Sequence, residues 1–454
     1  MSLHRLLHAK ALRVTGLVVA AAALASCSVP EMLEVNDPDI INPAQVSSPA
    51  GATAVKNGAF ARLAAATSGD ESLFLLGGLF TDEWINGDSF IERWQIDQRS
   101  VVYSNSYLTA AYRVLHRTRS SAEQAIPLLQ QYIPTGPKAD IAEMYFVMAY
   151  VENLMAEAFC SGLVFSNTLT QEYGTQITTA ETYALALAHA DSGLALVTGS
   201  SEADARVRNA LAVTKARILL NQGKGNFAAA ATAVSQVPTN YGYRIFHSVN
   251  ASSNQFWSLN ISARRYSVAD REGGNGLPFV SANDPRIPTC VGGTAGCPVT
   301  QTVRDDAGSP MVAQRLWTDR LTAVDIVSGV EARLIEAEAM LNANNPAGAL
   351  AKLNELRATV TGLAPLTDAG TPEARVTQLY NERAFWRFGR GTRLGDLRRL
   401  VREYGRSATA VFPTGAWHKG SGSYGPDVNF PIPQAEENNP NVTSSGGMCL
   451  DRSA

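Results

Sequence analysis

Two stretches of this 454-residue chain carry the same helical pattern, and that repeat constrains the fold more than any other sequence feature. In one stretch, Ala337 lies on an apolar helical face, and a short turn separates it from Ala349, twelve residues later. In the other, Ala216 precedes a turn that is two residues longer, and Ala230 occupies the position equivalent to Ala349. An alanine where two helices cross lets their backbones approach closely, so the pattern predicts stacked helical hairpins.

Apolar residues at three- and four-residue spacing predict further helices along the chain. The predicted helices span residues 104–132, 140–160, 179–197, 203–220, 323–341, 346–360 and 372–403. Paired helices with alanine contacts are typical of tetratricopeptide hairpins, which bury a continuous core only when stacked. We therefore predict a mainly α fold in which tetratricopeptide-like hairpins form a scaffold.

The pattern changes between residues 238 and 320, where Gly, Pro, Asn and Ser are frequent and helical runs are few. Loops this long inside a compact domain are functional or disordered. Disorder is disfavoured because the segment holds many aromatics, namely Phe246, Phe256, Trp257, Tyr266, Phe279 and Trp317. We predict a loop-rich second lobe packed on the scaffold and a candidate for ligand binding. We expect the chain to divide into two short N-terminal segments at 1–26 and 27–50, a helical region with repeat-like hairpins at 51–237, the loop-rich lobe at 238–320 and a C-terminal region at 321–454.

The first 26 residues have the features of a lipoprotein export signal. Three basic residues, Arg5, Lys10 and Arg13, precede an apolar run from Val14 to Leu24 that is too short to span a bilayer comfortably. The run ends in Leu-Ala-Ser-Cys, which matches the bacterial lipobox, so Cys27 is the expected acylated N-terminus. An ordinary secretory signal that ends near a cysteine is the alternative. Residues 27–50, with four prolines, would be a tether.

The charge of the chain argues against nucleic-acid binding. Without the signal it has 35 basic and 41 acidic residues, and no Lys/Arg run marks a phosphate-binding stripe. Apart from the signal, no stretch approaches the apolar length of a membrane span. The lipid at Cys27 is thus the one membrane contact that the sequence predicts.

Four cysteines remain after Cys27, and export would place them where disulfides persist. Four cysteines allow three pairings. Cys290 and Cys297 bracket a glycine-rich loop, so a local bridge between them is easy, which leaves Cys160 to pair with Cys449. Zinc is the alternative, but the sequence has no Cys-x-x-Cys and no neighbouring histidine to support it.

The motifs of common enzyme classes are missing from the sequence. We find no Gly-x-Ser-x-Gly, His-Glu-x-x-His, P-loop or dinucleotide fingerprint, and we assign no catalytic residues, metal ligands or cofactor. Whether the loops hold a metal site is left open by the sequence. Outside the signal the histidines are scattered, at His116, His189, His247 and His418, as for surface or core residues. A glycosidase pair of carboxylates from separate segments is not excluded by sequence.

The C-terminal third resembles a known family. Residues 381–390 read NERAFWRFGR and residues 393–399 read RLGDLRR, which is similar to the "ER…E…FEG.R..DLRR" helix of the SusD/RagB family. Residues 429–440, NFPIPQAEENNP, resemble its "PIP..E…NP" tail, and residues 331–339, EARLIEAEA, its repeat helix. The resemblance departs at the usual closing "QNPGY", where residues 444–450 with Cys449 stand instead, and around Trp386, which we assign to the core.

The resemblance implies a lipoprotein of the outer membrane with a SusD-like fold. Such a protein sits as a lid on a SusC-like, TonB-dependent β-barrel, captures oligosaccharide or sometimes peptide, and passes it to the barrel without catalysis. Two other functions stay open. A tetratricopeptide-like adaptor would bind protein partners but would not need the aromatic lobe, and a secreted hydrolase lacks a motif.

Sugar-binding sites place exposed aromatic rings beside amides and acids, because rings stack on the C–H face of a pyranose. The first such cluster is Asp82, Glu83, Trp84 and Asn86, near where the resemblance places a stacking aromatic; a core role is the alternative for Trp84. The second is Arg271, Glu272 and Asn275 in a glycine-rich loop, for which a structural turn is the alternative. Two more tryptophans are candidate platforms or packing between the lobes, namely Trp257 and Trp317.

Overall fold

Helices account for most of the regular structure in the computed structural model of the protein. The structure describes residues 46–249, 252–305, 308–442 and 448–454. The predicted export signal and Cys27 lie outside the described residues. Residues 49–454 form one compact unit. Within the described ranges, no helix combines the length and apolarity that crossing a membrane requires.

The N-terminal half consists of helices that pack on their neighbours in sequence. They are α1 (Pro49–Ser68), α2 (Leu73–Phe80), α3 (Ile91–Asp97), α4 (Ser106–Tyr132), α5 (Lys138–Ala158), α6 (Thr179–Leu194), α7 (Glu202–Asn221) and α8 (Phe227–Val234). Side-chain caps start several of them: Asn105 accepts from the Leu108 N–H and Ser201 from the Asp204 N–H. Such caps satisfy backbone donors that the first turn leaves free. The predictions over 104–132, 140–160, 179–197 and 203–220 are confirmed to within a few residues.

The remaining helices lie in the second half of the chain. They are α9 (Gln255–Trp257), α10 (Gly329–Asn342), α11 (Pro346–Arg357), α12 (Pro372–Arg387), α13 (Arg393–Tyr404) and α14 (Ala408–Val411). The alanines of both repeats are buried at helix contacts, as predicted: Ala216 and Ala230 between α7 and α8, Ala337 and Ala349 between α10 and α11. Because α8 also packs on α10, the two hairpins form a continuous stack. The mainly α, hairpin-based fold is confirmed.

Short strands and loops make up the loop-rich part of the unit. The strands are β1 (Trp84–Asn86), β2 (Leu163–Val164), β3 (Gln176–Ile177), β4 (Gly242–Ile245), β5 (Tyr266–Val268), β6 (Thr289–Val291), β7 (Val312–Gln314) and β8 (Val324–Ser328). They pair antiparallel as β1–β5, β2–β3, β4–β8 and β6–β7. The β1–β5 pair sets Trp84 opposite Val268 and so joins the N-terminal helices to the loop-rich lobe.

The predicted bounds of two helices were wrong in part. The helix predicted over 372–403 is interrupted between α12 and α13, where Gly389 and Gly391 have φ values of 66° and 65°. A Cβ at Gly391 would also lie 2.2 Å from a ring carbon of Phe74, so close packing and left-handed backbone both require glycine there. The helix predicted over 323–341 begins only at Gly329, because the alternating residues before it form β8 and Ser328 caps α10.

Several charged side chains of α12 and α13 are buried in ion pairs. Arg383 pairs with Asp396 at 2.8 Å, and Arg399 pairs with Glu338 of α10 at 3.0 Å. Arg387 pairs with Glu331 at 3.0 Å. Residues 381–399, which carry the family resemblance, therefore hold the last helices against the hairpin stack. Removing one partner of such a pair leaves a buried charge and costs about 3–5 kcal/mol.

The C-terminal tail returns to the helical core. Phe430 packs against Phe80 at 4.9 Å and Phe159 at 5.8 Å between ring centroids. Disulfides join Cys160 to Cys449 and Cys290 to Cys297, which is the pairing favoured from the sequence. The first bridge fixes the tail to the end of α5, and the second closes the glycine-rich loop.

Candidate functional site

Trp84 is a core residue. Its side chain is 0% exposed, and its ring packs against Phe388 at 4.9 Å and Phe256 at 6.2 Å between centroids. The stacking-platform hypothesis for Trp84 is therefore wrong, and the alternative of a core role is correct. The strand pairing between β1 and β5 turns this residue inward, where no ligand reaches it.

The acids beside Trp84 are buried as well. Asp82 forms a bidentate ion pair with Arg393, at 2.6 and 2.7 Å, and accepts from the Leu277 N–H. Glu83 accepts from the Gly389 N–H at 2.9 Å, and burial raises its pKa to about 8. Asn86 uses its side-chain oxygen to accept from the Asp88 N–H. All three candidates are buried and bonded within the protein, so they are not available to a ligand, and Asp82 and Glu83 are not an accessible catalytic pair.

The three residues of the second predicted cluster, Arg271, Glu272 and Asn275, have different surroundings in the structure. Asn275 donates to the backbone oxygens of Thr409 and Phe412, at 3.1 and 2.7 Å, and so ties its loop to α14. Arg271 is exposed and begins a tight turn with a φ of 55°. Glu272 is buried and accepts from the Tyr424 hydroxyl at 2.8 Å. The turn interpretation fits Asn275 and Glu272, while Arg271 and Asn275 are exposed to solvent.

The other two tryptophans differ in exposure. Trp317 is buried and stacks on Phe256 at 4.4 Å, while the Arg390 guanidinium lies 5.5 Å from its ring centroid. It thus packs between the loop-rich lobe and the turn that joins α12 to α13. Trp257 is half-buried and remains a candidate for ligand contact. Trp386, assigned to the core, is half-buried with the Arg286 guanidinium 5.2 Å from its ring.

An exposed aromatic surface surrounds α3, and no sequence pattern described above pointed to it. We call it the α3 patch and define it as Phe90, Ile91, Trp94 and Tyr107. Phe90 is 46% and Ile91 56% exposed, while Trp94 and Tyr107 are half-buried. The Arg93 guanidinium lies between the rings of Phe90 and Tyr107, at 5.4 and 4.9 Å. Large apolar side chains grouped at a surface mark a binding site more often than scattered ones do.

Trp94 is held in place by several contacts. Its indole N–H donates to the Asp88 carbonyl oxygen at 2.6 Å, and Trp417 packs edge-on at 5.6 Å. The Lys419 ammonium group lies 5.5 Å from the Trp94 ring centroid and also donates to the Asp88 carbonyl oxygen. A fixed, partly exposed indole beside an ammonium group and a carboxylate suits a ligand with an apolar face and hydroxyl groups.

A group of possible metal ligands lies next to the α3 patch. One carboxylate oxygen each of Asp97 and Glu272 and one ring nitrogen of His418 lie within 4.8 Å of one another. The other histidines outside the signal have different surroundings. His189 contacts Glu152 at 2.7 Å and His247 contacts Ser68 at 3.2 Å, while burial lowers the pKa of His116 to about 3.

Solved structures share this fold. No protein-family model matches the sequence, and no curated protein matches it significantly. A SusD superfamily protein from Parabacteroides distasonis superposes with a TM-score of 0.65 at 14% identity, over 88% of this chain and 99% of that one. A SusD-like carbohydrate binding protein from Bacteroides vulgatus gives 0.61 at 14% identity, over 87% and 97%. A SusD/RagB family protein from Bacteroides thetaiotaomicron gives 0.60 at 14% identity, over 86% and 94%.

The chain therefore has a SusD-like fold, a helical-hairpin scaffold with a loop-rich second lobe. The expectation of a SusD/RagB-type fold, which came from residues 331–440, is confirmed. At identities this low the likeness establishes the fold, and function has to be argued from the site.

Proposed function

We propose that the protein is a surface lipoprotein that captures oligosaccharide and delivers it, without catalysis, to a SusC-like TonB-dependent barrel in the outer membrane. The α3 patch carries this proposal, because it presents aromatic faces beside charged groups on a SusD fold. One of the proteins with this fold is described as carbohydrate binding. Aromatic faces stack on the C–H face of a sugar ring, and Asp88, Glu92 and Lys419 supply polar groups beside the patch that would bond its hydroxyl groups.

Membrane attachment in the proposal comes from the sequence. The lipobox that ends at Cys27 and the proline-containing tether after it would hold residues 49–454 near the outer membrane. A lipid chain gives reversible binding on its own, and lipoproteins carry several chains at the N-terminal cysteine. A Cys27→Ala variant should be recovered from the soluble fraction, whereas unchanged membrane association would contradict the anchor.

The alternative functions fit the structure less well. The alanine faces of the hairpins are buried against one another, so they are not a free groove for a partner peptide. A hydrolase needs two accessible carboxylates, and Asp82 and Glu83 are buried and bonded within the core. A peptide ligand remains compatible with an aromatic surface.

A glycan screen tests the proposal. The protein is run by affinity electrophoresis in gels that contain plant, algal or microbial polysaccharides, and each polysaccharide is incubated with the protein in parallel and analysed for released sugars. Retardation by one glycan without product is the expected result. Retardation by none, together with binding of a peptide library, would replace the carbohydrate by a peptide ligand. Released sugar would contradict the non-catalytic function.

A further inference from the structure

Three segments that are distant in sequence bring Asp97, Glu272 and His418 together. Asp97 ends α3, Glu272 lies in a 3₁₀ turn after β5, and His418 lies in the 412–425 loop, which runs from α14 to the tail. The two acids are 1% and 4% exposed, and the imidazole is largely covered. Their nearest ligand atoms lie within 4.8 Å of one another.

Each of the two acids in this group has a free oxygen. Asp97 Oδ2 accepts from the indole N–H of Trp417 at 3.1 Å and contacts His418 Nε2 at 2.5 Å. Asp97 Oδ1, Glu272 Oε2 and His418 Nδ1 are buried and have no hydrogen-bond partner among the described residues. Because Nε2 is the ring nitrogen that faces Asp97, an ion shared with Asp97 would take the Nε2 lone pair, and Nδ1 would then carry the imidazole proton. Two buried carboxylate oxygens without a donor are costly unless a cation or proton satisfies them.

Several other buried acids in the described residues have arginine partners, whereas Glu83 accepts from a backbone N–H. Arg393 pairs with Asp82, Arg217 with Glu157, and Arg399 with Glu338.

In contrast, no Lys or Arg in the described residues forms an ion pair with Asp97 or Glu272. The cations nearby have other partners: Lys419 donates to the Asp88 carbonyl oxygen and Arg304 to the Pro310 carbonyl oxygen.

We propose that Asp97, Glu272 and His418 bind one divalent transition-metal ion, with Zn²⁺ preferred. Two carboxylate oxygens and one imidazole nitrogen are a ligand set that zinc accepts, with water or the Tyr424 hydroxyl in the fourth position. In a tetrahedral zinc site the bonds from the metal to its ligand atoms are about 2.1 Å long. Two ligand atoms of such a site therefore lie about 3.4 Å apart. Binding an ion would therefore lengthen the 2.5 Å contact between Asp97 and His418 and shorten the wider spacings, which reach up to 4.8 Å.

The ion connects three elements behind the α3 patch. Trp94 lies one helical turn before Asp97, and its partner Trp417 is adjacent to His418. A metal that joins α3 to the 412–425 loop therefore fixes the Trp94–Trp417 pair. Because the unfolded chain does not hold these ligands together, the bound ion also stabilises the folded state.

Metal titration of the full chain tests the site. The protein is purified in detergent without a polyhistidine tag, treated with a chelator and titrated with Zn²⁺, Co²⁺ or Ca²⁺ by calorimetry and thermal melting. We expect one equivalent of Zn²⁺, a rise in Tm of several degrees, and visible d–d absorption with Co²⁺. The variants Glu272→Gln and His418→Gln should bind Zn²⁺ at least tenfold more weakly. His189→Gln is the matched control, because His189 contacts a buried acid, Glu152, outside this group.

Two results would overturn the proposal. Wild-type protein that takes up no Zn²⁺ and shows no change in Tm would mean that Asp97, Glu272 and His418 bind no zinc ion. Binding that persists undiminished in both variants would place the metal elsewhere. The wild-type titration requires no substitution, so it decides the question even if a variant fails to fold. Glycan binding is a separate measurement, and its failure leaves the metal result intact.

Discussion

Replacing Trp84 with alanine should unfold the protein at lower temperature without changing the ligand surface. The indole is fully buried between Phe256, Tyr266 and Phe388, where β1 meets the loop-rich lobe. Truncation removes these contacts and leaves a cavity, since the surrounding rings are held by their own partners. Phe256, for example, is stacked on Trp317.

The magnitude follows from the burial. A buried Trp→Ala change costs about 3–5 kcal/mol, which combines lost transfer free energy with the cavity. Unfolding entropy is about 2.1 cal/mol/K per residue, so over residues 49–454 each kcal/mol lowers Tm by about 1.2 °C. Trp84→Ala should therefore lower Tm by about 4–6 °C if the unit unfolds cooperatively.

Trp94→Ala is the matched comparison, because it removes the same side chain from a half-buried position. Its cost should stay below about 2 kcal/mol, since less apolar area is lost. Differential scanning calorimetry or urea melts of both variants against wild type give the two values. Equal stability of Trp84→Ala and wild type would refute the core assignment, and so would loss of ligand binding by folded Trp84→Ala.

Further predictions concern the buried acid and the tail. The pKa of Glu83 lies near 8, above its unfolded value, so the folded state holds a proton that the unfolded state loses. Stability should thus be full below pH 4.5 and fall, on the order of a few kcal/mol, as pH rises through 8. In urea melts between pH 5 and 9, Glu83→Gln should remove most of this loss; an unchanged pH profile would exclude Glu83 as its source. Cys449→Ser opens a loop of 289 residues and should cost about 3–5 kcal/mol in the same melts. A change below about 1 kcal/mol would show that the tail is held without the bridge.

Local patterns in the sequence were enough for the helical scaffold. The alanine pairs and the apolar periodicity act over short stretches of the chain, and both were visible in the sequence. The interruption between α12 and α13 was missed because Gly389 and Gly391 are required by contacts with Trp317 and Phe74, from distant segments.

The candidate site was harder to predict because its burial is decided by long-range pairing. Trp84 lies between two acids and a turn, and this sequence pattern is the same whether the tryptophan faces solvent or the core. The pairing of β1 with β5, which sets Trp84 opposite Val268, turns the side chain inward. Asp82 found its partner Arg393 311 residues away. Conversely, Phe90 at the N-cap of α3 and Trp94 within α3 are four residues apart, which is the spacing of residues on the core-facing side of a helix. Only the packing of the folded chain shows that both residues stay at the surface.

Glycan binding by Trp94→Ala tests the central claim most directly. Titration calorimetry is done with the glycan that retards the wild-type protein. Phe246→Ala serves as control, since Phe246 is 76% exposed and outside the α3 patch. We expect Trp94→Ala to bind at least about tenfold more weakly while Phe246→Ala binds like wild type. Wild-type affinity in Trp94→Ala would contradict capture at the α3 patch.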